Sequence, residues 1–154
     1  MMDARVSSIV ARIEASGSPC EEASDCPWLE SIEASFGRRL PEPYRSLLRY
    51  FRFPEFELLG FESFSNFGDG SDNDIAVAPF KDRALREWLV PRGFIHIGRP
   101  STGSYDPICF DLARETKEPK IVRFDHEDIL LVRAQIEPVV VAGSFMELVG
   151  ANAT

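Results

Sequence analysis

The hydrophobic period of this chain changes once, at Pro54, and that change restricts the fold more than any other feature. Before it, apolar residues recur at helical spacing. Val6, Ile9, Val10 and Ile13 mark a first helix that Gly17-Ser18-Pro19 stops. A loop over 18–27 ends in Asp25-Cys26-Pro27, where a proline near the first helical position starts a second helix. Leu29, Ile32 and Phe36 give that helix its buried face, and Gly37 suits the left-handed residue after its end. Leu40-Pro41-Glu42-Pro43 restarts the chain as a third helix, with Tyr44, Leu47, Leu48 and Phe51 on one side.

Beyond Pro54 the chain runs in short extended segments separated by turn residues. Strands are predicted over 56–61, 74–78, 94–98, 107–112, 120–125 and 129–133, with Val139–Ala142 as a last strand or buried extended segment. Leu85, Trp88 and Leu89 interpose one helix. Ser144 and Glu147 form a capping box that opens another over Phe145–Val149. Helices first, then strands in succession with short turns, predict an α+β fold: a small, mostly antiparallel sheet flanked by helices.

The length of 154 residues suits one globular unit. Its expected division is an N-terminal helix and loop, 1–27, packed on a domain spanning 28–150. With 17 basic against 25 acidic residues the net charge is −8, which argues against nucleic acid or an anionic membrane as partner. No apolar run approaches the ~20 residues of a membrane span. Met1-Met2-Asp3-Ala4-Arg5 leads into an amphipathic pattern rather than a signal peptide, so a cytoplasmic location is expected. Cys20, Cys26 and Cys109 are odd in number and lack zinc-knuckle spacing, which disfavours a disulfide framework or a zinc site.

Three segments imitate catalytic or ligand-binding motifs. Gly98 to Gly103 has the G-x-x-x-x-G frame of a phosphate loop, but the lysine is missing and a strand comes next; a turn is expected. Asp69-Gly70-Ser71-Asp72-Asn73-Asp74 could attract calcium, yet the twelfth position is Phe80 instead of Glu, so a solvated loop is expected. Asp125-His126-Glu127-Asp128 gathers acid and base side chains without a nucleophile and reads as a polar turn. His96, between Ile95 and Ile97, reads as a packed strand histidine. No catalytic, metal or cofactor residue is expected, and a metal- or nucleotide-dependent enzyme is only a minor alternative.

Gly37-x-x-Leu40-Pro41-x-x-Tyr44-x-x-Leu47-Leu48, just after Leu29-x-x-Ile32-Glu33-x-x-Phe36, resembles the leading motif of the SUKH superfamily. Phe94-Ile95-His96-Ile97-Gly98 with 103–112, then 121–127, then Ser144-Phe145-Met146-Glu147-Leu148 continue the resemblance in the family's order from Trp28 to Val149. One departure is Tyr50-Phe51-Arg52-Phe53-Pro54, which stands where the family usually has an Asn-Gly or Gly-rich loop after the third helix. The resemblance implies a non-enzymatic domain that binds another protein. In bacterial members that partner is commonly a toxin, often a nuclease or deaminase, and the domain acts as its immunity protein. The eukaryotic branch implies the alternative of a housekeeping scaffold or regulator, like the yeast cell-wall-synthesis regulator.

The acidity is local. Residues 53–80 contain no Lys or Arg, six of the carboxylates and six of the 12 phenylalanines. Aromatic anchors within an acidic rim would suit a partner with a basic surface, such as a nuclease groove built to attract phosphate. The expected partner-binding residues are Glu55, Glu57, Glu62, Phe64, Phe67, Asp69, Asp72 and Asp74. The competing reading packs the phenylalanines inward and leaves the carboxylates to water.

Overall fold

Residues 1–114, 116, 118–131 and 136–151 are described by a computed structural model of the chain. Helix α1 (Val6–Ala15) buries Val6, Ile9, Val10 and Ile13 at the spacing the sequence predicts. Helix α2 (Leu29–Phe36) ends at Gly37, whose φ of 74° places it in the left-handed region that an L side chain resists. Helix α3 (Tyr44–Tyr50) buries Tyr44, Leu47 and Leu48. The 18–27 loop is not featureless: β1 (Glu21–Glu22) pairs antiparallel with β2 (Phe51–Arg52), tying the loop to the end of α3.

The main sheet has six strands in sequence order, each antiparallel to the next. They are β3 (Phe56–Leu58), β4 (Phe61–Ser63), β5 (Phe94–Pro100), β6 (Ile108–Asp111), β7 (Ile121–Arg123) and β8 (Val139–Ala142). The α+β, antiparallel expectation therefore holds. Period-2 alternation sends Ile95, Ile97, Ile108, Phe110 and Ile121 to one face, where α1, α2, α3 and α7 (Phe145–Val149) complete the larger core. Phe110, Tyr44 and Phe145 meet there with ring centroids 5.2–5.8 Å apart. Cys109, Val122 and Phe124 point the other way, under α5 (Arg83–Leu89) and α6 (His126–Leu130). The molecule is thus three layers deep. Among the described residues no helix is long and apolar enough to cross a membrane, and all three cysteines are free thiols.

Three predicted strands are corrected. Residues 56–61 are a hairpin: Leu59 and Gly60 take φ of 51° and 84°, the two left-handed residues of a tight turn, so Leu58 pairs with Phe61. Leucine is a poor residue for that conformation, so nothing in the sequence marks the turn except Gly60. Residues 74–78 turn instead of extending, because the Asp74 carboxylate accepts from the backbone N–H of Ala76 at 3.0 Å and helix α4 (Ala78–Lys81) follows. The 129–133 segment begins inside α6. Asp125 caps that helix by accepting from the N–H groups of Glu127 (2.8 Å) and Asp128 (3.3 Å), so the acidic tetrapeptide is a helix start. Residues 132 and 133 lie outside the described residues.

Strand β5 contains an irregularity between His96 and Gly98 where its register with β6 shifts. Two residues three apart on a regular strand face opposite sides; the shift brings His96 and Arg99 to the same cleft. Gly98 is required at this point. A Cβ there would lie 2.3 Å from the Glu62 carbonyl oxygen and 2.5 Å from the Phe61 ring. Gly98→Ala is expected to lower stability by about 2 kcal/mol by forcing β4 and β5 apart. Urea unfolding measures it, and an unchanged midpoint would show that the ladder accommodates the methyl group.

Candidate functional site

The expected partner-binding residues fall into three groups. Glu55, Glu57 and Glu62 gather on the β3–β4 hairpin at the open edge of the sheet, with Glu57 directly opposite Glu62 in the ladder. Burial pushes the Glu62 carboxyl above the ordinary glutamate range; the adjacent Glu55 charge, a hydrogen bond with Glu55 and the Glu57 charge add to this, against a pull from Arg99. Like charges directly opposite in a ladder destabilise it, so this edge holds repulsion that Arg99 offsets only in part.

Phe67, Asp69 and Asp72 are exposed on the loop that follows β4. Asp69 accepts from the Ser71 hydroxyl (2.8 Å) and backbone N–H (3.1 Å), which hold its carboxyl below the usual range. Asp72 pairs with Lys81 at 3.3 Å.

Phe64 and Asp74 form the third group and correct the expectation: both are buried, at 3% and 0% exposure. Phe64 packs edge-on against the His96 ring at 4.9 Å and lies under the Arg99 guanidinium. Asp74 accepts from Gly68 N–H (3.1 Å), the Ser65 hydroxyl (3.3 Å) and Ala76 N–H, so its charge organises the loop from within. The three carboxylates of the calcium look-alike therefore serve separate local partners.

A feature the sequence reading did not assign lies next to this edge. A cleft of about 440 Å³ opens between α4, α5 and strand β5, lined by Ala78, Pro79, Leu85 and Leu130 on its apolar side. Its polar side is His96, Arg99, Tyr105 and His126, with Lys81 and Asp82 at α4 and the start of α5. Arg99 lies opposite Glu62 in the β4–β5 ladder, so the acidic hairpin and the cleft meet at this one guanidinium. The guanidinium sits over the Phe64 ring (5.1 Å) and the Tyr105 ring (5.6 Å), and donates to the Asn73 side chain at 3.2 Å.

His96 is 3% exposed, and neither ring nitrogen has a partner of normal hydrogen-bond geometry. Burial first, then the Arg99 charge, pushes its imidazole down to about 3 against a weaker opposing pull from the Gly98 backbone. At neutral pH it is an uncharged ring with one N–H to give.

Beside the cleft, Asp106 accepts from Arg123 Nε (2.9 Å) and Nη2 (2.7 Å), and from His126 backbone N–H (3.0 Å) and Nδ1 (2.7 Å). Burial raises its carboxyl, but these donors outweigh burial and hold it at about 2. Asp106, Asp125 and His126 bring three ligand atoms within 4.8 Å of one another, the one such trio among the described residues. Both Asp106 oxygens are already engaged, one by a guanidinium, so a cation would have to displace Arg123. The arrangement anchors α6 and β7 to the 104–107 turn.

Sequence reasoning missed Arg99, Tyr105 and the grouping of both histidines. His96 looked like any apolar-flanked strand residue, and only the register shift at Gly98 could have hinted that Arg99 joins it. The family model described as SMI1 / KNR4 family (SUKH-1) matches residues 26–150. No curated protein matches the chain.

Proposed function

The chain belongs to the SMI1 / KNR4 family (SUKH-1), whose members include toxin-immunity proteins and cell-wall regulators, and from that membership we propose that it is a non-enzymatic immunity protein. In this reading it binds a cognate toxin domain of nuclease or deaminase type inside the cell that makes the toxin. The acidic hairpin is the contact surface, and the observation that carries this choice is the Glu55–Glu57–Glu62 cluster. Three carboxylates repel one another at an open sheet edge, and Glu62 is displaced towards its neutral form. A basic partner surface relieves that repulsion on binding, while complementary charge speeds encounter. Phe67, 44% exposed on the adjoining loop, supplies an aromatic anchor.

Co-expression with the toxin domain encoded beside its gene tests the reading: growth is restored by the wild-type chain. Glu55→Lys combined with Glu57→Lys, both exposed, is expected to weaken binding by about 10–100-fold and to flatten its salt dependence. Undiminished affinity in that variant would remove the hairpin from the interface. Absence of protection, with several partners recovered and no tight one, would favour the regulator branch of the family.

A further inference from the structure

We propose that the cleft between α4, α5 and β5 is a binding site for a small organic anion, its carboxylate or phosphate held by Arg99 and Lys81 and its apolar body against Pro79, Leu85 and Leu130. The site adjoins the hairpin at Arg99 but does not depend on the immunity reading.

The chemistry of the lining selects this ligand. The cleft volume of about 440 Å³ is that of a small-molecule pocket, with an apolar wall and a few converging polar groups. In a chain of net charge −8, two full cations face this space. Arg99 makes no ion pair within 4 Å among the described residues; its contacts are the Asn73 amide oxygen and two aromatic rings. Aromatic faces hold a guanidinium in place without neutralising it, and Glu62, whose carboxyl is raised by burial and by its glutamate neighbours, offsets the charge only in part. Lys81 is exposed, and its ion pair among the described residues is the surface one with Asp72, which water screens strongly.

Two carboxylates oppose these cations: Glu62, across the ladder from Arg99, and Asp82, whose Oδ1 accepts from the Leu85 N–H at 3.1 Å to cap α5. His126 also lines the space, but its Nδ1 is engaged by Asp106. The independent sign of a ligand is His96. A buried imidazole whose nitrogens find no hydrogen-bond partner among the described residues loses hydrogen bonds it had in water, a cost that a core position gains nothing by bearing. An oxygen of a bound molecule supplies the missing acceptor. Tyr105, 65% exposed beside both Arg99 and His126, stands where it can cover such a guest.

The full-length chain, labelled at histidine and observed by NMR, is titrated with benzoate, with phenyl phosphate and with benzyl alcohol as the uncharged counterpart. Saturable shifts of the His96 ring signals are expected with one or both anions, with a dissociation constant of about 0.1–1 mM. The stronger of the two identifies the head group. Benzyl alcohol is expected to produce at least tenfold weaker binding. Arg99→Gln should weaken the anion at least tenfold and Lys81→Gln about threefold, whereas Arg83→Gln, on the exposed side of α5 and paired with Glu87, should change nothing. Should Arg99→Gln fail to fold, Lys81→Gln decides, since Lys81 is exposed. The proposal is overturned if no His96 shift saturates by about 10 mM, if benzyl alcohol binds as well as the anions, or if the Lys81 substitution leaves affinity unchanged.

Discussion

Asn66→Ala is expected to cost about 3 kcal/mol, a large part of the 5–15 kcal/mol that keeps a domain folded. Asn66 is fully buried and joins segments far apart in the chain. Its Oδ1 accepts from the Phe53 N–H at 2.7 Å, and its Nδ2 donates to the carbonyls of Phe51 (2.7 Å) and Leu48 (3.4 Å). Its own N–H donates to the Phe53 carbonyl at 3.2 Å. Arg52 Nη1 donates to the same two carbonyls (2.7 Å to Leu48, 2.8 Å to Phe51), so two side chains satisfy the backbone where α3 ends, and Asn66 alone serves the Phe53 N–H. Alanine leaves the buried Phe53 N–H without a partner, at about 1–3 kcal/mol, opens a cavity, and leaves the Leu48 and Phe51 carbonyls to the Arg52 guanidinium alone.

Asn66→Asp separates these contributions. It keeps an acceptor for Phe53 but sets a carboxylate against two carbonyls, so it should destabilise at least as much as alanine despite its matching shape. Urea unfolding measures both. An Asn66→Asp variant near wild-type stability would show that the amide donors contribute little.

Stability should also fall as pH drops from about 6.5 towards 3, and His96 is the cause. In the unfolded chain its imidazole takes up a proton below about 6.5, whereas in the fold it resists protonation until about 3. Between those values the unfolded state binds one more proton, so stability is lost at about 1.4 kcal/mol per pH unit, approaching 4–5 kcal/mol at the lower end. Glu62 acts in the opposite sense. Its raised folded pKa lets the folded state take up a proton first, which offsets part of the loss as pH falls through the carboxylate range. Asp106, held at about 2, adds to the loss only below its ordinary value of 3.8. The window from 6.5 to about 4.5 therefore belongs mainly to His96.

His96→Phe removes the titrating ring, gives up no hydrogen bond of normal geometry among the described residues, and keeps an aromatic against Phe64. Its stability at neutral pH should equal or exceed that of the wild type, and its loss on acidification over the window should be much smaller. Equal slopes in the two proteins would place the acid sensitivity elsewhere. A stabilised His96→Phe that no longer binds the anion would fit a residue kept for a ligand at the expense of the fold.

Where a local rule operated, the sequence could be read. Helices α1, α2, α3, α5 and α7 follow from apolar spacing, Gly37 and the Ser144–Glu147 box. Alternation at Ile108 and Phe110 placed β6 correctly. Misreadings arose where a single polar side chain redirected the backbone. Asp74 turned one expected strand and Asp125 capped another into a helix; in each case a carboxylate accepted nearby N–H groups that an extended chain would have sent to a ladder. The hairpin at Leu59-Gly60 escaped notice because a leucine adopts a conformation it rarely takes.

The sequence alone determined that residues 53–80 carry concentrated negative charge and no base, since charge is a property of composition. Which of those groups reach solvent was a tertiary decision. Folding left Glu55, Glu57, Phe67, Asp69 and Asp72 outside, left Glu62 partly covered, and drew Phe64 and Asp74 into the interior. The cleft was decided wholly at that level. His96, Arg99, Tyr105 and His126 span 31 residues and share no local pattern. A register shift in one strand, one antiparallel neighbour and a capped helix bring them together, and those are relations between segments that no single segment encodes.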